Sequence, residues 1–419
     1  MHIPTPPIRA LSCLAVALVA AASIASVAPQ ELTDKEQRDL GLTLKRYMNS
    51  PKDADKAKDE LVKALEKIGK KKAPKEADSL NAALGLTADL GKAVFYSGEY
   101  KVIGKGGKVT TETTENKDKA QQRQYALSLP TSYKSTGGPV PLIVFIPGLE
   151  DGKVAPAAEF FTKYWPEPEV RDNAIMVAVT MPADPAKWAG QDGIYAVMYT
   201  LGDVFKNYTV DRDRVYIVGR AEGVPLAVLL GSMYPQRFAG IVGNAGDAGE
   251  ASHLNFQNLP TYFQGAGAQA TAFEAKIKEA GYNNCTVKSD ATTADIWSWM
   301  KANPRISNPA KVTLSPGSPT PSKAYWIEIA PTEGLKGVIT GEADRSTNTI
   351  TIKATSVRQV TVYLNDVLVD LSKPITVVLN GREQKLQVRR SLDDMLIMLS
   401  SKSDAGMLYV VKHDFDLPS

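Results

Sequence analysis

Between Gln121 and about Asn303 the chain sets short apolar runs between helical stretches: Tyr125 to Leu129, Pro141 to Ile146, Ala174 to Val179, Arg214 to Val218, Gly240 to Val242, Pro260 to Phe263 and Cys285 to Val287. These runs lack the polar alternation of a half-exposed strand, so each must be covered on both faces. Strands of that kind, separated by helices, build a mostly parallel sheet with helices on either side. The predicted core is a doubly wound α/β unit.

The flanks read differently. From Glu31 to about Gly98 the pattern is helical and charged: Thr33 with Glu36 predicts a capping box, and Ser50-Pro51 begins a second helix with Ala54, Ala57, Leu61, Leu65 and Ile68 on one face. These helices are expected to pack as a hairpin on the domain that follows. Lys101 to Lys119 has no period and reads as a linker or exposed hairpin. Its Gly104 to Lys108 stretch lacks the leading strand and following helix of a phosphate loop. After Pro304, a Pro, Ser and Thr rich linker precedes alternating strands at Ala324 to Ile329, Gly337 to Glu342, Thr349 to Ala354, Gln359 to Leu364, Ile375 to Leu379, Leu386 to Arg389 and Tyr409 to His413. Asn380-Gly381 marks a tight hairpin turn, and Ser391 with Asp394 a capped helix. The expected division is a signal at 1–28, a helical region at 29–100, a linker or hairpin at 101–120, the core at 121–305, a linker at 306–323 and a β-sandwich-like domain at 324–419.

Arg9, the apolar run Leu11 to Ala22 and the small residues Ser26-Val27-Ala28 predict a secretory signal cut near Ala28, and with it a periplasmic or extracellular protein. No later run approaches the roughly 20 apolar residues of a membrane span. A net charge of +3 gives no reason to expect a nucleic-acid partner. Cys285 is the single cysteine outside the signal, which excludes an intrachain disulfide and marks it as a small core residue. His253, His413 and one cysteine have no ligand spacing, so neither metal nor cofactor is expected.

The stretches from Tyr125 to Gly148 and from Tyr208 to Gly246 resemble the α/β hydrolases, and within them secreted esterases akin to polyhydroxybutyrate depolymerases and feruloyl esterases. The β-rich tail, above all Val360 to Gly381, resembles a domain that follows such cores in exported bacterial proteins. The resemblance implies an α/β-hydrolase fold with a nucleophile elbow at Gly219-Arg220-Ala221-Glu222-Gly223. Acyl transfer there requires a serine, cysteine or aspartate at the centre of the elbow, a histidine to move its proton and an acid to orient the histidine.

This chain places Ala221 at the nucleophile position. The acid position falls near Gln269, in a stretch without a carboxylate until Glu274, and the base position near Thr293. Leu149 and Glu222 keep backbone amides where an oxyanion hole would stand, since such a hole needs no particular side chain. His253, with Asp247 and Glu250 close in sequence, is the candidate substitute base; His413 reads as structural. Arg220 either pairs with Glu222 or faces an anionic ligand, while Trp165 and Trp188 either line a pocket or anchor their loops. The resulting expectation is an exported pseudoenzyme that binds a small molecule, an ester or a polysaccharide, with a cell-envelope partner. Two alternatives stand beside it: a carboxylic-ester hydrolase with a displaced nucleophile, and a structural or adhesion protein that binds through its β-domain.

Overall fold

The computed structural model describes residues 31–98, 100–102, 106–116, 118–265, 267–316, 322–329, 337–402 and 404–418. The secretory signal expected before Ala28 lies outside the described residues, as do Gly104 and Lys105 and part of the second linker. Helices α1 (Asp34–Asn49), α2 (Ala54–Lys72), α3 (Ser79–Leu84) and α4 (Thr87–Phe95) come first. The Thr33 hydroxyl accepts from the Glu36 amide and the Glu36 carboxylate accepts from the Thr33 amide, the reciprocal capping box read from the sequence.

The core is an eight-stranded sheet. Its strands are β1 (Val109–Thr113), β2 (Gln124–Ser128), β3 (Val140–Ile146), β4 (Ile175–Val179), β5 (Val210–Arg220), β6 (Gly240–Asn244), β7 (Thr261–Gln264) and β8 (Cys285–Lys288). They lie in the order β1-β2-β4-β3-β5-β6-β7-β8, antiparallel at β1 and β2 and parallel from β4 onward. Each predicted apolar run supplies a strand. The unperiodic stretch before the core adds the edge strand β1, whose exposed Thr and Glu residues left no apolar signal.

Helices α5 (Ala157–Tyr164), α6 (Pro168–Asn173), α7 (Gln191–Asn207), α8 (Val224–Met233), α9 (Ala268–Glu279) and α10 (Thr293–Ala302) cover the sheet. Successive strand residues point to opposite faces. Leu142, Val144 and Ile146 of β3 therefore pack with α7, α8 and α9, while Ile143 and Phe145 pack with α5, α6 and α10. One irregularity matters later. Val140 pairs with Val210 and Leu142 with Val215, so Pro141 alone faces the four residues Asp211, Arg212, Asp213 and Arg214. Proline has no N–H to give the ladder, and the opposing strand bulges at that point.

The C-terminal region contains β9 (Lys311–Leu314), β10 (Lys323–Ala324), β11 (Ile327–Ile329), β12 (Val338–Asp344), β13 (Thr349–Thr355), β14 (Gln359–Leu364), β15 (Ile375–Leu379), β16 (Arg382–Leu386), α11 (Leu392–Lys402) and β17 (Val411–Asp416). They form a sheet β9-β12-β13-β15-β16 and a sheet β10-β11-β14-β17. Asn380 and Gly381 both have positive φ, 45° and 86°, as a two-residue hairpin turn of this hand requires. The return strand therefore starts at once and occupies 382–386, not the predicted 386–389. Arg382, Glu383 and Lys385 on that edge made the segment look like a loop, and charge on an edge strand also guards against pairing with other chains. The expected strand from Ala324 to Ile329 is broken by a turn at Tyr325 with φ of 50°.

The N-terminal helices bury their apolar face against the C-terminal region, and not against the core that follows them in sequence. Leu40, Leu44, Leu61 and Leu65 belong to one buried apolar cluster with Ile352, Val362, Leu396 and Leu399 of the C-terminal region. Polar contacts follow the same seam: the Arg390 amide donates to Asn81 Oδ1 at 3.1 Å, and Arg389 pairs with Asp78 at 2.5 Å. Periodicity shows which face of a helix is buried, but not against what.

Arg305 joins this region to the core. Its guanidinium donates to Asp213 Oδ1 at 2.9 Å, to the Gln236 carbonyl at 2.6 Å and to both oxygens of Asp404 at 2.7 and 2.8 Å. Asp213 stands on the β5 bulge and Asp404 follows α11.

Candidate active site

Strand β5 ends at Arg220, and the chain turns into α8 through Ala221, Glu222 and Gly223. Ala221 has φ of 47°, the left-handed conformation that L-residues adopt only when their surroundings enforce it. Close approach supplies that enforcement. A Cβ on Gly219 would lie 2.5 Å from the Gly223 carbonyl oxygen, and one on Gly223 would lie 2.4 Å from the Ile146 oxygen. The strained elbow is thus present in full, with a methyl group at its tip.

The loop after β3 stands directly in front of it. A Cβ on Gly148 would come within 2.9 Å of the Ala221 Cβ and 2.9 Å of Glu222 Oε2. That oxygen accepts the Leu149 amide at 2.8 Å. One of the two amides that an oxyanion hole would offer to a substrate, that of Leu149, is therefore taken by a carboxylate of the protein itself. The Glu222 side chain is thus turned onto the loop after β3. Arg220 does not pair with Glu222. Its guanidinium carbon lies 3.8 Å from the centre of the Tyr164 ring, and Tyr164 and Lys163 donate to Glu150, so a cation, a ring and an ion pair rim this side.

The other expected positions hold no acid–imidazole pair. Gln269 is exposed in the first turn of α9. After β7 it is Gln264 that reaches across, accepting from Asn244 and donating to the Ala291 carbonyl. Thr293 is the first residue of α10, and its hydroxyl donates to Glu167 at the head of α6. Glu167 was missed because nothing in sequence links it to a residue 126 positions later.

His253 is placed elsewhere. Its turn packs against Ser232 at the far end of α8, where the Ser232 hydroxyl donates to the Ser252 carbonyl at 3.3 Å and Asn255 donates to the Ser232 carbonyl at 2.9 Å. At about 1.5 Å per helical residue that end is roughly 16 Å from the elbow. Burial first, then Lys276, holds the His253 pKa below its ordinary value. As substitute base it is thus corrected by distance, and the same contacts make Ser232 a buried structural hydroxyl. Trp165 and Trp188 are 1% and 2% exposed. Trp165 packs on Phe145 with ring centres 5.1 Å apart, and Trp188 Nε1 donates to the Pro182 carbonyl at 2.8 Å. Both anchor loops and neither lines the cleft.

Cys285, half-buried on β8, has its thiol pushed up to about 11 by burial. It is expected to react with iodoacetamide at pH 7 about 100-fold more slowly than an ordinary thiol, a ratio that timed mass spectrometry reads directly.

The strand order, the antiparallel second strand and the left-handed elbow between β5 and α8 define an α/β-hydrolase fold. In solved structures the chain is similar to a thermostable esterase (16% identity, TM-score 0.41, 47% of this chain and 63% of that one), so it spans under two thirds of that protein. It is also similar to a ferulic acid esterase from Anaeromyces mucronatus in complex with ferulic acid (9% identity, TM-score 0.37, 49% of this chain and 93% of that one). A third likeness is esterase 2 of Thermogutta terrifontis phosphonylated by cyclosarin (12%, 0.36, 49% and 95%). No protein-family model matches the sequence, and no curated protein is similar to it.

Proposed function

We propose that the core is an exported, non-catalytic hydrolase-type scaffold, a pseudoenzyme that binds and does not turn over. One observation carries this reading: the Glu222 carboxylate sits on the Leu149 amide in front of the Ala221 methyl, so the elbow has no nucleophile and one of its two oxyanion donors is already taken. A carboxylate there also repels the negative charge that an acyl-transfer transition state develops. With Thr293 and Glu167 at the base position, a serine alone would find no imidazole to take its proton. The ligand class in this reading is an ester-like small molecule or a polysaccharide, met in the periplasm or outside the cell. The boundaries proposed for the chain are those of the sequence, near residues 100–120 and 306–323.

Intact-mass analysis after fluorophosphonate treatment tests the reading. The protein and its Ala221→Ser variant should both stay unlabelled while a control esterase labels fully. Stoichiometric labelling of the parent chain at one serine would overturn it in favour of a displaced nucleophile.

A further inference from the structure

A cavity of about 1430 Å³ lies away from the elbow. Val210 to Asp213 at the start of β5, the end of α7, and helices α1 and α4 wall it. The elbow ends the same strand, eight residues beyond Arg212, or about 26 Å at the rise of an extended chain. Two arginines, Arg212 of the bulge and Arg237 before β6, line this cavity and also a small recess that adjoins Asp404. Among the described residues no carboxylate oxygen lies within 4 Å of either guanidinium, and neither donates a hydrogen bond to any side chain or carbonyl.

The nearby acids are engaged elsewhere. Asp213 and Asp404 are held by Arg305, and Asp211 accepts the Asp213 amide and stands 3.5 Å from Arg214. Arg212 instead stacks on Phe205, with its guanidinium carbon 3.4 Å from the ring centre, and Arg237 lies 5.6 Å from the Tyr234 ring. Burial pulls the Arg212 pKa down to about 10 and lowers that of Arg237. Both arginines are part-buried and line the cavity, and their free donors are open to an anion that enters it.

We propose that this cavity binds an organic anion, its carboxylate or phosphate held by Arg212 and Arg237 and its ring or chain lying along Phe205, Phe95 and Tyr96. The site is separate from the elbow and does not rest on the elbow being silent. Planar guanidinium groups suit both head groups, because each offers paired acceptor oxygens.

The test is calorimetric titration of the full chain with benzoate and phenyl phosphate, which separates the two head groups, and with benzamide as the uncharged control. One molecule of an aromatic anion should bind per chain while benzamide does not. The double variant Arg212→Gln, Arg237→Gln should lose affinity by about ten-fold or more. Equal binding of benzamide, undiminished affinity in the double variant, or no binding of either anion at millimolar concentration overturns the proposal.

Discussion

Arg305→Met is expected to lower the unfolding free energy by about 3–5 kcal/mol, the loss that follows when one member of a buried ion pair is removed and its partner stays behind. Arg305 has no exposed side-chain surface, and Asp404 keeps only 12% of its own. Without the guanidinium, Asp404 retains the Gly406 amide as a partner, and the Gln236 carbonyl loses its donor. The urea midpoint should fall at unchanged slope, and adding Asp404→Asn should restore part of the loss. The pair also fixes a pH dependence. Burial opposes ionisation of Asp404, but Arg305 outweighs it and holds the carboxyl below its ordinary 3.8. A depressed carboxylate stabilises the fold above its unfolded pKa, and that contribution disappears as pH drops below about 3.8 and through the folded value. The parent should therefore lose stability in acid more steeply than Arg305→Met, which a series of urea midpoints between pH 5 and pH 2 would read.

Trp165→Ala should cost about 3–5 kcal/mol, the range for truncating a fully buried aromatic side chain. Its ring closes an aromatic cluster in which Phe145 of β3 also touches Phe160 and Phe161, at 5.2 and 5.7 Å between centres. The indole fills the space between α5 and the sheet, so the deletion leaves a cavity under the loop that carries Glu167. A tryptophan that merely lined an open pocket would shift stability by about 0.5 kcal/mol or less and would change ligand binding instead. Chemical denaturation at constant slope distinguishes the two, and a small shift would return Trp165 to the cleft.

Much of the fold was legible because burial on both faces leaves a plain mark in sequence. Val144, Val177 and Ile217 announce central strands wherever they are read, and the turn at Asn380-Gly381 fixes itself through two residues that tolerate positive φ. The edge strands β1 and β16 were missed or shifted because exposed edges carry Thr, Glu, Arg and Lys, the residues of loops. The elbow was legible through the glycines around Ala221. What was not legible is where side chains go: Glu222 reads as a helix-start carboxylate until its bond to Leu149 is seen, and Arg212 reads as one charge among four until it is found stacked on Phe205 while Asp213 is held by Arg305.

The apolar seam between the first helices and the last strands has a consequence in time. Asn81 and its partner Arg390 are 309 residues apart. At the ordinary pace of synthesis, about 5–20 residues per second, the helix face of Leu40, Leu44, Leu61 and Leu65 stays uncovered for roughly 15–60 s after it is made. Until the final strands arrive, those leucines are open to chaperones and to one another, so the beginning of this chain can only finish folding after its end exists.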